Sequence, residues 1–294
     1  MHRTSIFDTR RNFRYAKSAY RGDAGLKIGR QGQVASAISA ANPDTIVVRG
    51  LDLCRELIGK VTFTEHVWLL VTGRLPSDAQ RQVLDAALVA IAEHGLVPSV
   101  VASRMTLAAA PESLQGAVAA GLLGCGSVIL GAAEAAARFF AEIAARAHGN
   151  QIEAAAEATL EELRAGKRPV PGYGHPLHKK SDPRVVRLLE LAANVGVSGT
   201  HVAIARAVER LTLKVTGKPL VMNVSAAIGA VMLDAGYPLL AVKGVPILAR
   251  TASLIGHLLE EQQRPIGFAL AHSGSSAAIY DGDKPAGFVP SDGG

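Results

Sequence analysis

A mostly α-helical protein is what this sequence predicts, on three observations. Its apolar content, 49% of 294 residues, leans on Ala, Leu and Val, with only 4% aromatics; alanine and leucine lose little side-chain freedom in a helix. Apolar residues recur at helical spacing between recognisable caps. No succession of alternating, strand-like segments runs through the chain. The length suits one large domain or two modest ones, and 19% charged residues fit a globular rather than a disordered chain.

The elements follow in order. Residues 1–30 form a basic arm, with eight Lys/Arg against Asp8 and Asp23, while the remainder carries 23 residues of each sign. A solvated arm is the favoured reading over a phosphate or carboxylate patch or a nucleic-acid contact, and no nucleic-acid partner is expected. The opening MHRTSIFDTRRNFRYAK lacks an apolar signal region, and Cys54 and Cys125 show no metal or redox spacing. Both sulfurs are expected in the core of a reduced, cytoplasmic protein. DTIVVRG, residues 44–50, is the most strand-like stretch and predicts a short hairpin before residue 52.

Helices are predicted at 52–59 and 64–73, then at 77–94, where Ser77 caps, Asp78 meets the positive dipole end and Gly95 supplies a stop. Residues 113–133 are uncharged and long enough to raise a membrane span, yet five glycines predict a buried helix broken near Gly124–Ser127. No membrane association is expected. Further helices are predicted at 133–147, 150–165, 183–195 (started by Asp182-Pro183), 200–216, 224–235 and 245–262. Gly124 and Gly126 imitate a dinucleotide fingerprint, but Ile129 stands where its third glycine belongs and no strand precedes. His175, His178 and Asp182 imitate a metal site, but Lys179 and Lys180 disfavour a cation, so no metal is expected.

The chemistry concentrates in VPGYGHPLHKKSDPR, Val170 to Arg184. Glycines let backbone N–H groups approach a ligand, and a capped helix start favours anions. His175 suits carbonyl polarisation or proton transfer near neutral pH. By residue type alone, a loop with a solvated basic face competes with these roles.

This run resembles the VPGYGH…DPR signature of the citrate synthase and citryl-CoA lyase superfamily. RGLDLCRELIGKVTFTEHVWLLVTGRLPS, AEHGLVPSVVASRM, ESLQGAVAAGLL, KPLVMNVSAAIGAVMLDAGYP and ILARTASLIGHLLEEQQRPIGF are similar to further blocks of the family, in family order. The similarity spans about residues 30–270 and lies nearer the citryl-CoA lyases. It implies a citrate synthase-like fold with a large helical domain, 31–131 and 233–294, and a smaller inserted helical domain, 132–232.

The resemblance also implies a site. His94 and His175 match the histidines that hold the oxaloacetate part of the substrate. Arg184 and Arg250 match arginines that clamp its carboxylates, and Arg264 matches one donated by the partner subunit of a homodimer. Coenzyme A is implied along Val170, Pro171, Gly172, Tyr173 and Gly174, with Lys218, and more weakly Lys179, Lys180 and Lys214, for its phosphates. CoA is a substrate here; no cofactor is implied. The activity implied is a lyase or acyltransferase reaction that makes or breaks a C–C bond between an acyl-CoA and a 2-oxo acid.

Three positions depart from the family pattern. Ile129 stands where citrate synthases have a histidine, and Pro176 where many lyases have arginine. Asn223-Val224-Ser225 replaces an Asn-Val-Asp block, so Ser225 stands where the general base belongs. A serine hydroxyl needs another base to take an α-proton, and loss of a positioned base costs about 10²–10⁴ in rate. Asp234, nine residues on, faces away along the same helix. A binding protein that kept its clamps and lost its catalyst, as a sensor or regulatory subunit, is the second reading.

Overall fold

A computed structural model describes residues 35–127, 129–147, 151–174 and 180–288. The basic arm at 1–30 and the segment holding His175, Pro176 and Lys179 lie outside the described residues.

The strand-like stretch becomes a three-stranded antiparallel sheet, β1 (Ser39–Ala41), β2 (Ile46–Val48) and β3 (Leu51–Asp52), in the order β1-β2-β3. Ala40 faces Val47 in register. The Asn42 side chain closes the first turn by accepting from the backbone N–H groups of Asp44 and Thr45. Val48 then packs with Leu57 and Leu69 in a small apolar cluster. The helix expected at 52–59 is a single π-type turn, Leu53–Leu57, capped by Asp52.

Among the described residues the remaining elements are all helices. Helix α1 (Phe63–Thr72) starts on a Thr62–Glu65 capping box and stops at Gly73, whose φ is +78°. Helix α2 (Asp78–Ala92) starts on a Ser77–Gln80 capping box and ends two residues short of its expected limit. Each box satisfies two N–H groups that a helix start leaves unpaired. Next come α3 (Pro98–Ala109), α4 (Leu114–Leu123), α5 (Gly131–Arg146), α6 (Ile152–Ala165), α7 (Pro183–Asn194), α8 (Thr200–Thr216), α9 (Val224–Asp234), α10 (Gly244–Gln263) and α11 (Gly267–Ala277). The break expected inside 113–133 separates α4 from α5.

Two helices were not among those expected, and each has a reason. Helix α3 starts on Pro98, three residues after a glycine that reads as a stop. Helix α11, GFALAHSGSSA, has poor helical propensity and forms where it packs on α3. Cys125 is buried as expected; Cys54 is exposed instead, on the outer side of the π turn.

Helices α5, α6, α8 and α9 pack on one another, as do α3, α4, α10 and α11, while α2 packs on α7, α9 and α10. The main core gathers Trp68, Phe140, Ile143, Leu160, Ile204, Ile228 and Met232, all essentially buried. Helix α9 is its centre, with Val224 and every residue from Ala226 to Met232 buried. Gly229 permits this: a Cβ there would lie 3.0 Å from the Ala137 nitrogen on α5. Among the described residues one stretch, Leu239–Gln263, is long and apolar enough to cross a membrane. It comprises α10 and the turn before it, and it packs on α2, α3 and α4.

Candidate active site

Three elements bring together a cluster of nitrogen donors. His94 stands in the turn after α2, Arg184 in the first turn of α7, and Arg250 within α10. Asp182, itself buried, caps α7 by accepting from the Arg184 backbone N–H. Its two oxygens also accept from Arg184 Nε at 3.0 Å and Nη2 at 2.7 Å, a fork that fixes the guanidinium plane. The remaining arm, Nη1, lies 2.7 Å from His94 Nε2. A guanidinium only donates, so Nε2 accepts and the neutral ring keeps its proton on Nδ1.

Burial, with the Arg250 and Arg184 charges, lowers the His94 pKa and supports that neutral form. Its buried Nδ1 lies beside the Glu93 carbonyl but outside hydrogen-bond geometry. Arg250 is only 3% exposed, and its buried Nε and Nη1 have no hydrogen-bond partner among the described residues. Burial pulls its pKa down, Cys125 and Glu93 pull it up, and Arg184 opposes them. A buried guanidinium without a carboxylate is costly by several kcal/mol, and an anion that brought its own oxygens could offset that cost here.

The turn carrying His94 is tied to α10. The Glu93 carboxylate accepts from Ser253, from the Gly95 backbone N–H and, at 3.0 Å, from His257. Although burial raises its pKa, those hydrogen bonds bring it down to about 2. Glu93, Ser253, His257 and Asp182 as a fork had escaped notice in the sequence. The signal was present in the spacing, since Arg250, Ser253 and His257 recur at helical intervals on one stripe of α10.

A second group surrounds Ser225. Asn223 caps α9, accepting from the Ser225 and Ala226 N–H groups at 3.1 and 3.2 Å. Its own N–H donates to the Gly172 carbonyl at 3.0 Å, and Gly174 N–H donates to the Val221 carbonyl at 2.7 Å. The VPGYG loop is thereby docked, in a short antiparallel bridge, on the start of the helix that carries Ser225. Gly172 has φ +82°, and a Cβ there would lie 2.6 Å from the Ala226 methyl, so only glycine allows the approach. Tyr173 is buried and its hydroxyl donates to the Ala205 carbonyl at 2.6 Å; Val170 is buried too. These two side chains belong to the core, and what the loop offers a ligand is backbone. Pro171, Gly172 and Gly174 are half-buried, and Lys218 is exposed just before the bridging strand.

Among the described residues, no hydrogen bond or ion pair links Ser225 to the His94–Arg184–Arg250 cluster. Ile129 lies half-buried in the connection before α5. Lys214 is paired with Glu157. Arg264 lies at the far end of α10, roughly 21 Å along the axis from Arg250 at 1.5 Å per residue, with its side chain 81% exposed. Within one chain it does not join the cluster. Asp234 faces away from Ser225 and accepts from the backbone N–H groups of Gly199, His201 and Val202, capping α8.

Residues 77–267, which contain all of these described side chains, match the family described as citrate synthase, C-terminal domain. The chain belongs to the citrate synthase family. Among solved structures it is similar to citryl-CoA lyase from Hydrogenobacter thermophilus, at 31% identity and a TM-score of 0.77, covering 87% of this chain and 97% of that one. Citrate synthase from Thermotoga maritima shares the fold at 19% identity and a TM-score of 0.61, over 78% of this chain and 60% of the other. Among curated proteins, the citrate/2-methylcitrate synthase of Bacillus subtilis is 27% identical over 206 residues, 68% of this chain and 53% of that protein. ATP-citrate synthase beta chain protein 2 of Arabidopsis thaliana is 28% identical over 196 residues, 61% of this chain and 31% of that one. The chain thus spans about half of one curated relative and a third of the other. The mostly α class expected from the residues is the observed one, and so is the citrate synthase-like fold that the family resemblance implies.

Proposed function

We propose that this citrate synthase family protein binds a citrate-like tricarboxylate beside a CoA thioester and cleaves or forms the C–C bond between an acyl-CoA and a 2-oxo acid. One observation carries the reading: Arg250 is buried, with donors unpartnered among the described residues, beside a neutral histidine and a fork-fixed arginine. Arg184 and Arg250 hold carboxylates, His94 donates from Nδ1, and His175 serves the hydroxyl or ketone oxygen. CoA lies along the Val170–Gly174 backbone, with Lys218 toward its phosphates. The bound thioester is substrate, and no cofactor or metal takes part.

Cleavage is the direction we favour, on the similarity to a protein named citryl-CoA lyase. In that direction the citryl hydroxyl gives its proton to His175 as the C–C bond breaks, and the enolate released takes a proton through the Ser225 hydroxyl and water. Condensation runs the same transfers in reverse, so a hydroxyl in place of a carboxylate slows both directions alike. Arg264 acts in the partner's site of a homodimer. Exposed Leu123, Ile255, Leu259 and Phe268, on α4, α10 and α11, offer that dimer apolar surface. The division into a 132–232 lobe and a second lobe, and a cytoplasmic location, belong to the same proposal.

A specific observation favours a second reading, in which the protein binds these ligands without turnover: Ser225 stands in place of the family's carboxylate. Ser225→Asp decides between them. If the wild type releases acetyl-CoA from citryl-CoA, the lyase reading holds. If it binds citrate and CoA with no turnover, and Ser225→Asp revives condensation, the binding reading replaces it. Failure to bind either ligand in calorimetry sinks both.

A further inference from the structure

A second buried charge cluster lies outside the acid site, where α3 meets the end of α10. Arg104 and Glu261 are 2% and 3% exposed. Arg104 Nε donates to Glu261 at 2.7 Å, Nη1 to Glu260 at 2.8 Å, and Nη2 points at the Arg264 carbonyl at 3.4 Å. Glu261 in turn accepts from the backbone N–H groups of Ile266 at 3.0 Å and Gly267 at 2.7 Å. Arg264 N–H is held by the Glu260 carbonyl at 2.6 Å. Gly267 is wedged against α3, since a Cβ there would lie 2.6 Å from the Ala108 Cβ and 2.8 Å from the Arg104 carbonyl oxygen.

A buried ion pair is weak evidence for stability in itself, because desolvation offsets its attraction. Here the Glu261 carboxylate and one arm of the Arg104 guanidinium both meet the main chain of a single turn, 264–267, while the other two arms of Arg104 hold Glu261 and Glu260 in place. That turn carries Arg264, whose own side chain reaches outward with only a 3.8 Å contact to Glu260. We infer that Arg104 and Glu261 are positioning residues that fix the 264–267 main chain so that the Arg264 guanidinium enters the acid site of a second copy. The inference rests on the trans role given to Arg264 above. A misplaced guanidinium loses its bidentate geometry with a carboxylate, so the defect falls on the neighbour's site and not on the chain's own.

Mixed dimers test this, with citrate as the probe and calorimetry counting tight sites per dimer. The Glu261→Gln homodimer should bind citrate at least tenfold more weakly, and Glu261→Gln should add nothing in an Arg264→Ala background. A dimer of one Arg250→Ala chain and one Glu261→Gln chain should regain one site of wild-type affinity, because the Arg250→Ala chain supplies a well-placed Arg264 to the other chain's intact clamp. Absence of that site overturns the inference. An Arg250→Ala with Arg264→Ala dimer separates the causes: no complementation there means that the trans role itself fails. Complementation there, but not with Glu261→Gln, removes only the positioning role. Arg104→Lys, which keeps the buried charge and loses the fork, should behave as Glu261→Gln does. If both variants fail to fold, the network is a folding element and the inference is withdrawn.

Discussion

Under the proposed function, Arg250 is a residue that trades stability for a ligand. Its buried Nε and Nη1 have no partner among the described residues, so Arg250→Met should stabilise the ligand-free protein by about 1–3 kcal/mol. The same change should abolish the rise in melting temperature that citrate gives the wild type, and thermal melts with and without citrate check both effects. Glu93 makes a pH prediction. Its carboxyl titrates at about 2 when folded against a usual 4.5, so the folded state binds the proton less readily than the unfolded one. The stabilisation is full above the unfolded value and is lost as pH falls toward the folded one. Glu93→Gln should flatten that part of the profile, read from urea midpoints between about pH 5 and 2.5. His94, also depressed, acts in the same direction from its unfolded value downward, which is why the comparison is made within the carboxylate window.

Among elements, α8 and α9 are joined by one carboxylate. Asp234, near the end of α9, accepts from three backbone N–H groups at the start of α8 and from His201 Nδ1 at 2.8 Å. Asp234→Ala should cost about 2–3 kcal/mol in denaturant unfolding, because it leaves N–H groups unpaired at a helix start. The helices with strong local signals were legible: Ser77 followed by Asp78, or Asp182 followed by Pro183, announces a start through backbone chemistry alone. Helix α11 was not legible, since its Gly/Ser-rich sequence gains helical form only from packing on α3. The end of α2 was misplaced because Glu93 and His94 leave the helix to meet Ser253, His257 and Arg184, partners distant in sequence.

For the whole molecule, the separation of Arg264 from Arg250 along α10 makes the proposed site depend on association. Leu259 is exposed on α10 while Leu258 beside it is fully buried. Leu259→Glu should therefore leave the fold intact, shift sedimentation from dimer to monomer and lose citrate binding together with the dimer. A monomer that still binds citrate with wild-type affinity contradicts a shared site.

By itself the sequence determined the helical class and most helix starts, because these depend on spacing and local backbone chemistry, while its resemblance to the family's blocks supplied the candidate clamp residues. Only tertiary structure decided that Arg250 is buried with Nε and Nη1 unpartnered among the described residues, that Asp182 orients Arg184, and that Gly172 lets the VPGYG loop close on the helix bearing Ser225. Burial and hydrogen-bond partners arise between residues tens to hundreds of positions apart, and the way helices pack fixes them where no local pattern records them.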